Sequence, residues 1–336
     1  MKRFLFSLFS FALFFAGCST KEVFEPKQTA GEWEAVKSID AEVVDKTADV
    51  AQLENAKVLA GNEELNVSIA PEFRVVGKSG EYVLSTDIDG HLRLHNIKSG
   101  KTTQLDLKKT IAAASTDGDD VAVVFANGKM ALYDLASKEL LLKLEGATSI
   151  ALDARIVNPY FMNDLVLFLT LDGKIVIVNK NLKKRLRTII VSAAEYFNNV
   201  IYFDILENRL IVATGTKILS FGKSQKRVEL EVRNVDHDGK NLYVATKQGD
   251  IVKLSPDLDI KSKAHFPFAH FLALRVYEGS IYALEKEGYF IKLSKDLLTY
   301  SVYDVDIPEE SYVYAGKDRF FVGDEAVLFG KDAASK

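Results

Sequence analysis

Residues 82–97 read YVLSTDIDGHLRLHNI: an apolar strand, a turn ending in Asp89-Gly90, and a second apolar strand. Asp-Gly between two β-rich runs is a hairpin signal, because a tight turn of the primed type needs positive φ, which Asp, Asn and Gly tolerate. The same form returns in VAVVFANGKMALYDL from Val121, LVLFLTLDGKIVIVNK from Leu165, RLIVATGTKILSFGK from Arg209, NLYVATKQGDIVKLSP from Asn241, SIYALEKEGYFIKLSK from Ser280 and RFFVGDEAVLFGK from Arg319. The turn glycines, Gly90, Gly128, Gly173, Gly215, Gly249, Gly288 and Gly323, follow one another at intervals of 38, 45, 42, 34, 39 and 35 residues. One hairpin repeated roughly every 40 residues has the period of a β-propeller blade. Stacked sandwiches give no reason for that recurrence. Apolar runs such as VLFL (166–169) and KIVIV (174–178) suit strands covered on both faces by neighbouring blades.

Each unit offers another strand after its hairpin, such as KTTQLDL, ELLLKLEG or RLRTIIV, and one before it, such as FRVVGKSG or FLALRVYEG. The expectation is an all-β propeller of seven four-stranded blades. The last unit lacks an outer strand, since only DAASK follows AVLFGK. Residues 50–66, within the β-rich stretch 48–69, are expected to supply it and so protect a sheet edge. The domain reading is a leader over 1–17, a polar tether over 18–48 and a propeller over 49–336.

The leader reading rests on FALFFAGCSTKE, residues 11–22, which holds Cys18, the single cysteine of 336 residues. Lys2 and Arg3 precede an apolar run from Phe4 to Phe15, and Ala16-Gly17 supply small residues for a peptidase, the layout of a secretory signal. The run spans about 18 Å as a helix, short of the ~30 Å hydrocarbon core. Phe15-Ala16-Gly17-Cys18 resembles the bacterial lipobox, with Phe in place of the usual Leu. That resemblance implies acylation of Cys18, which becomes the first mature residue, and stable attachment to a membrane through more than one acyl chain. Ser19 after the cysteine implies, by the same resemblance, the outer membrane. With one cysteine there is no intrachain disulfide, so stability rests on the core.

The repeats, with a turn of the type YDLASKELLLKLEG (Tyr133–Gly146), resemble the quinoprotein-type (PQQ-type) repeat propellers, and among them the lipoproteins of the machinery that inserts β-barrel proteins into outer membranes. The resemblance covers residues 50–330 in architecture. It departs from the family in carrying its only tryptophan, Trp33, outside the repeats, and fold transfers more safely than function.

Residues that carry chemistry are sparse. Formal net charge is −4, becoming −6 without Lys2 and Arg3, a poor balance for a nucleic-acid partner. Two Asp-rich turns, STDIDGHLRLHN (85–96) and NVDHDGKNLYVA (234–245), lack the acidic first ligand and the Glu at position twelve that an EF-hand loop needs. His91 and His95 lie four apart on a strand, about 13 Å along it, too far to share a metal. His265 and His270 have no acidic residue between them. Nucleophile-elbow, phosphate-loop and zinc-protease patterns are missing, and a quinone would need aromatic stacking and a calcium shell that the repeats do not offer. The reading is therefore not an enzyme, with no cofactor and no metal. The basic run KNLKKRLR (180–187) reads as a solvated turn or as a contact for an acidic partner or anionic lipid. In EYFNNVIYF and HFPFAHFLAL, aromatics lie between blades, either as wedges or as partner anchors. Because interblade loops gather on one face, Tyr196, Phe197, Phe266 and Phe268 are the candidate partner-binding residues. The expected function is a lipid-anchored periplasmic scaffold at the outer membrane that assists β-barrel assembly. Its partners would be outer-membrane assembly proteins or unfolded β-barrel substrates, with the chain a monomer within a complex. The alternatives are a surface-exposed ligand-binding propeller and a quinoprotein-like enzyme or maturation factor.

Overall fold

The computed structural model describes residues 22–149, 151–308 and 311–330. Every hairpin read from the sequence forms, as the second and third strands of a four-stranded antiparallel sheet. In the first, Tyr82–Thr86 pairs with His91–Asn96 in the register Tyr82↔Asn96 to Thr86↔Leu92. Arg74–Ser79 lies inside that hairpin and Thr102–Asp106 outside it, as the flanking strands of the unit required.

The described residues build eight such blades, not seven. They span 43–68, 74–106, 111–144, 160–190, 202–229, 232–265 and 271–304, with the eighth made of 313–328 and an added strand, Ala35–Lys37. The blade missed in the sequence is the first. Its central hairpin, Val50–Leu53 against Lys57–Ala60, turns through Glu54-Asn55-Ala56 without a glycine, and Ala56 takes φ 65°. Residues 50–66 thus form the body of a blade of their own rather than an outer strand for the last.

A repeated bond exposes the kinship of that turn with the others. In several blades the amide beginning the interblade connection donates to the carbonyl of the hairpin residue: Leu107 to Gly90 at 2.9 Å, Phe266 to Gly249 at 2.8 Å, Val305 to Gly288 at 2.9 Å, and Ile69 to Ala56 at 2.7 Å. The approach explains the glycines as much as their φ does. A Cβ on Gly90 would sit 2.4 Å from the backbone N and O of Lys109, and one on Gly249 2.0 Å from the carbonyl of Phe266. Both glycines also take positive φ, 89° and 79°.

Closure is by a short strand, as expected, but from an earlier segment. Ala35–Lys37 pairs antiparallel with Glu325–Leu328 as the outer strand of the eighth blade. The described part of the expected tether, 22–48, belongs to the ring. Ala30 and Trp33 donate backbone bonds of 2.7 Å to Val302 and Asp304 on the outer edge of the seventh blade. Trp33 is 4% exposed, donates from Nε1 to the Leu328 carbonyl at 3.0 Å, and lies 4.7 and 4.8 Å from the rings of Phe290 and Tyr303. Phe24 sits edge-on to Phe266 and Tyr289. Cys18 and the leader lie outside the described residues.

The core is distributed between blades. Along Asp120–Phe125, Val121, Val123 and Phe125 pack with Leu84, Leu92 and Leu94 of the preceding blade, whereas Ala122 and Val124 pack with Val166, Phe168 and Val178 of the following one. Alternate side chains point to opposite faces of a strand, so a strand covered on both faces must be apolar throughout. Each large apolar side chain so buried contributes about 1.5–3 kcal/mol.

Candidate protein-binding face and central channel

The face that bears the glycine turns also bears the interblade connections, and the sequence-predicted aromatics divide on it. Phe266 is 1% exposed and packs against Phe24, Phe271 and Tyr300, with ring centroids 5.9, 6.0 and 5.0 Å away. It is a wedge between blades, and its assignment as a partner residue is corrected. Tyr196, Phe197 and Phe268 stand 49%, 55% and 56% exposed.

Phe197 and Phe268 hold unusual backbones, at φ 49° and φ 64°. In the tight turn from Phe266 to Ala269, closed by an amide-to-carbonyl bond of 3.1 Å, Pro267 precedes Phe268. Proline followed by positive φ is the type II pattern, whose third residue is normally glycine or asparagine. A bulky residue there costs on the order of 1–3 kcal/mol. Phe197 sits on an equally fixed base. Its amide donates to Ala151 at 3.0 Å, Asn198 donates to the carbonyls of Asp172 and Ser192 at 3.0 and 3.1 Å, and Asn199 accepts from the Asp153 amide at 2.7 Å. The aromatics are thus presented on braced loops.

Four of the five histidines have carboxylate or hydroxyl partners. His91 Nδ1 lies 2.6 Å from Asp87, His237 Nε2 2.8 Å from Asp204, His265 Nδ1 2.7 Å from Asp250, and His95 Nδ1 2.9 Å from Thr102 Oγ1. The bonds to Asp87 and to Asp204 raise the pKa of His91 and His237. His91 and His95 do not converge, as their spacing required. Asp87, Asp89 and His91 bring one ligand atom each within 4.8 Å of one another. This is the Asp-rich turn that fails the EF-hand pattern, and His91 is already committed to Asp87. In the basic run, Lys180 pairs with Asp117 and, at 3.4 Å, with Asp120 of the preceding blade, and Arg187 lies 4.8 Å from the Phe221 ring. The outer strand that follows, Lys184–Ile190, is exposed at every residue but Ile189, with Leu186 and Ile190 each 51% exposed.

Sequence reasoning missed the centre of the ring. The inner strands enclose a cavity of about 840 Å³, lined on all eight blades. Residues 154–159, at the end of the connection between the third and fourth blades, reach into it; the longest glycine interval, 45 residues, was the signal for this excursion. Asn158 donates to Val76 at 3.0 Å and accepts from Ala114 at 3.1 Å, while Ser115 Oγ donates to Pro159 at 2.6 Å. Across the channel Arg155, paired with Asp153, donates to the carbonyls of Arg233 and Val232. Arg275 donates to Ala315 and Gly316 at 2.7 and 2.8 Å and lies 3.7 Å from Asp236. Lys46 donates to the Val313 carbonyl. Burial and the nearby Arg155 charge depress the pKa values of both Lys46 and Arg233, and burial raises those of Asp49 and Tyr202.

No family model matches this chain. Two curated relatives are similar in sequence, both named plasminogen-binding protein PgbB, from two strains of Helicobacter pylori. The protein of strain J99 is 30% identical over 209 residues, covering 61% of this chain and 39% of that one. The protein of strain 26695 is 25% identical over 350 residues, covering 90% and 64%. The chain therefore spans less than two thirds of the length of either relative. Among solved structures, BamB from Moraxella catarrhalis superposes with a TM-score of 0.67 at 14% identity, over 88% of this chain and all of that one. The computationally designed Ika8 protein gives 0.61 at 12% identity, over 90% and 99%. At these identities the solved structures speak to the fold, and the chain is an all-β, BamB-like propeller whose sequence relatives are named as binding proteins.

Proposed function

We propose that the protein is a non-enzymatic, lipid-anchored propeller that binds another protein through the face bearing Tyr196, Phe197 and Phe268. The supporting observation is Phe268, a large aromatic kept at a glycine-type turn position and more than half exposed. Neither the turn nor the core benefits from that side chain, whereas an aromatic on a rigid base is what a protein partner uses as an anchor. The ligand is a large extracellular protein met at the cell surface. Plasminogen is the first to test, because both sequence relatives carry it in their names.

A second reading keeps the chain on the periplasmic side of the outer membrane, assisting β-barrel assembly. It is supported by the exposed outer strand Lys184–Ile190, which pairs with one neighbour only and, apart from the Ile190 carbonyl taken by Arg227, leaves an edge for strand addition. Its partners would be assembly proteins or unfolded barrel segments.

One experiment treats both. The double variant Phe197→Ser, Phe268→Gly should lose at least tenfold in affinity for immobilised plasminogen while its melting temperature stays level or rises, since Phe268→Gly relieves backbone strain. Unchanged affinity would reject the aromatic face, and a lower melting temperature would make the aromatics packing residues. Protease digestion of intact cells should remove the propeller if it is displayed outside. Complete protection, together with co-purification of barrel-assembly proteins, would favour the periplasmic reading.

A further inference from the structure

Five buried side-chain polar atoms lack a hydrogen-bond partner among the described residues, and three of them line the central channel on two neighbouring inner strands: Tyr202 Oη, Arg233 Nε and Asn234 Oδ1. Buried polar atoms in folded proteins are nearly always satisfied, so such a concentration at one wall calls for a missing partner. The three differ in what they need. Arg233 Nε must find an acceptor, Asn234 Oδ1 must find a donor, and Tyr202 Oη can donate. Burial, and after it the charges of Asp204 and Asp236, keep the phenol protonated, so that hydrogen is available.

Charge narrows the choice. Arg155 is neutralised by Asp153, and Arg275 faces Asp236. Arg233 and Lys46 make no ion pair among the described residues and each lies in the field of Arg155; Asp153 acts on Arg233 in the opposite sense, and Asp45, Asp49 and Asp204 also line the channel, so the positive charge is concentrated at the Arg155–Arg233 wall. Ordered water would satisfy hydrogen bonds at this wall but would leave the half-buried guanidinium of Arg233 without an ion-pair partner. An anion with planar, paired oxygens suits a guanidinium, and a carboxylate has that geometry. The donor that Asn234 requires adds a hydroxyl to the same molecule. The cavity, at about 840 Å³, falls within the roughly 300–1,000 Å³ of small-molecule sites.

We propose that the central channel is a binding site for a small hydroxylated carboxylate, its carboxylate held by Arg233 and Tyr202 and its hydroxyl donating to Asn234. Lys46, on the inner strand of the first blade, adds positive charge from across the channel. The site lies inside the ring and is separate from the aromatic face, so the two assignments stand or fall independently.

Thermal melts of the purified full propeller test it, with malate as the probe, succinate as the same diacid without the hydroxyl, and sodium chloride at equal ionic strength. Malate should raise the melting temperature by a few degrees in a saturable way, succinate by less, and chloride not at all beyond the common salt effect. Arg233→Met should abolish the malate shift and, without any anion, should melt higher than the parent, because it removes a half-buried charge that has no ion-pair partner. Tyr202→Phe, which takes away one oxygen and little packing, should fold normally and show a smaller shift. The proposal is overturned if neither diacid exceeds chloride, if Arg233→Met keeps the shift, or if Arg233→Met melts lower in anion-free buffer. Equal shifts from malate and succinate would remove the hydroxyl from the assignment.

Discussion

At the scale of single residues, left-handed backbone positions decide what was readable. Gly90 and Gly249 announce their turns because no other residue fits both the positive φ and the backbone approach from the next connection. Ala56 occupies the same structural position without that signature, so its hairpin was hidden. Titrating residues lead to a pH prediction. His237 is held above its ordinary 6.5 by its bond to Asp204. For Asp204, burial acts to raise the pKa but the bonds from His237 and the Ile205 amide outweigh it, leaving the carboxyl below its ordinary 3.8. A raised histidine stabilises the fold fully below the unfolded value and loses that contribution as pH climbs through the folded value. A depressed carboxylate contributes above its unfolded value and loses it on acidification. The pair should therefore stabilise most between about 4 and about 6.5. Melts across pH 5–9 should show His237→Gln less stable than the parent near pH 6 and nearly equal to it near pH 9. A gap that does not depend on pH would reject the coupling.

Among elements, the segment 22–37 behaves unlike the polar tether its composition suggested. Its alternation of charged and apolar residues carries no clear period, yet Phe24 and Trp33 insert into aromatic clusters on the seventh and eighth blades. Trp33→Ala should lower stability by about 3–5 kcal/mol, the range for truncating a buried aromatic, read from denaturant unfolding. It should also loosen Ala35–Lys37, seen as faster amide exchange at Val327, whose strand partner is Ala35. A loss below about 1 kcal/mol would mean that the ring closes without this staple. Trp33 was visible in the sequence as the only tryptophan, but its partners Phe290, Tyr303 and Leu328 lie more than 250 positions away, beyond the reach of any local pattern.

For the whole molecule, the ring of eight blades has two separate regions of interest, the braced aromatics outside and the charged channel within. Cys18, read from the sequence as an acylation site, lies outside the described residues. If Cys18 carries the anchor, Cys18→Ala should move the protein from the membrane fraction to the soluble fraction while the melting temperature of the propeller stays the same. Retention in the membrane would reject acylation as the attachment. Length also enters at this scale, since the chain spans only part of its curated relatives and their binding activity need not reside in the shared region.

The sequence by itself determined the propeller. Hairpin turns are local, their glycines are forced by sterics, and strands buried on both faces must be apolar, so seven of the eight blades were legible residue by residue. It also picked out the loops that carry Tyr196, Phe197 and Phe268, although not that Phe266 turns inward. Only the tertiary structure decided the number of blades, the identity of the closing strand and the existence of the channel. Each depends on encounters between distant parts of the chain: Trp33 meets Leu328 at a separation of 295 residues, and Arg155 meets Arg233 at 78. Such contacts are set by how the blades close into a ring, a geometric condition that local periodicity does not encode.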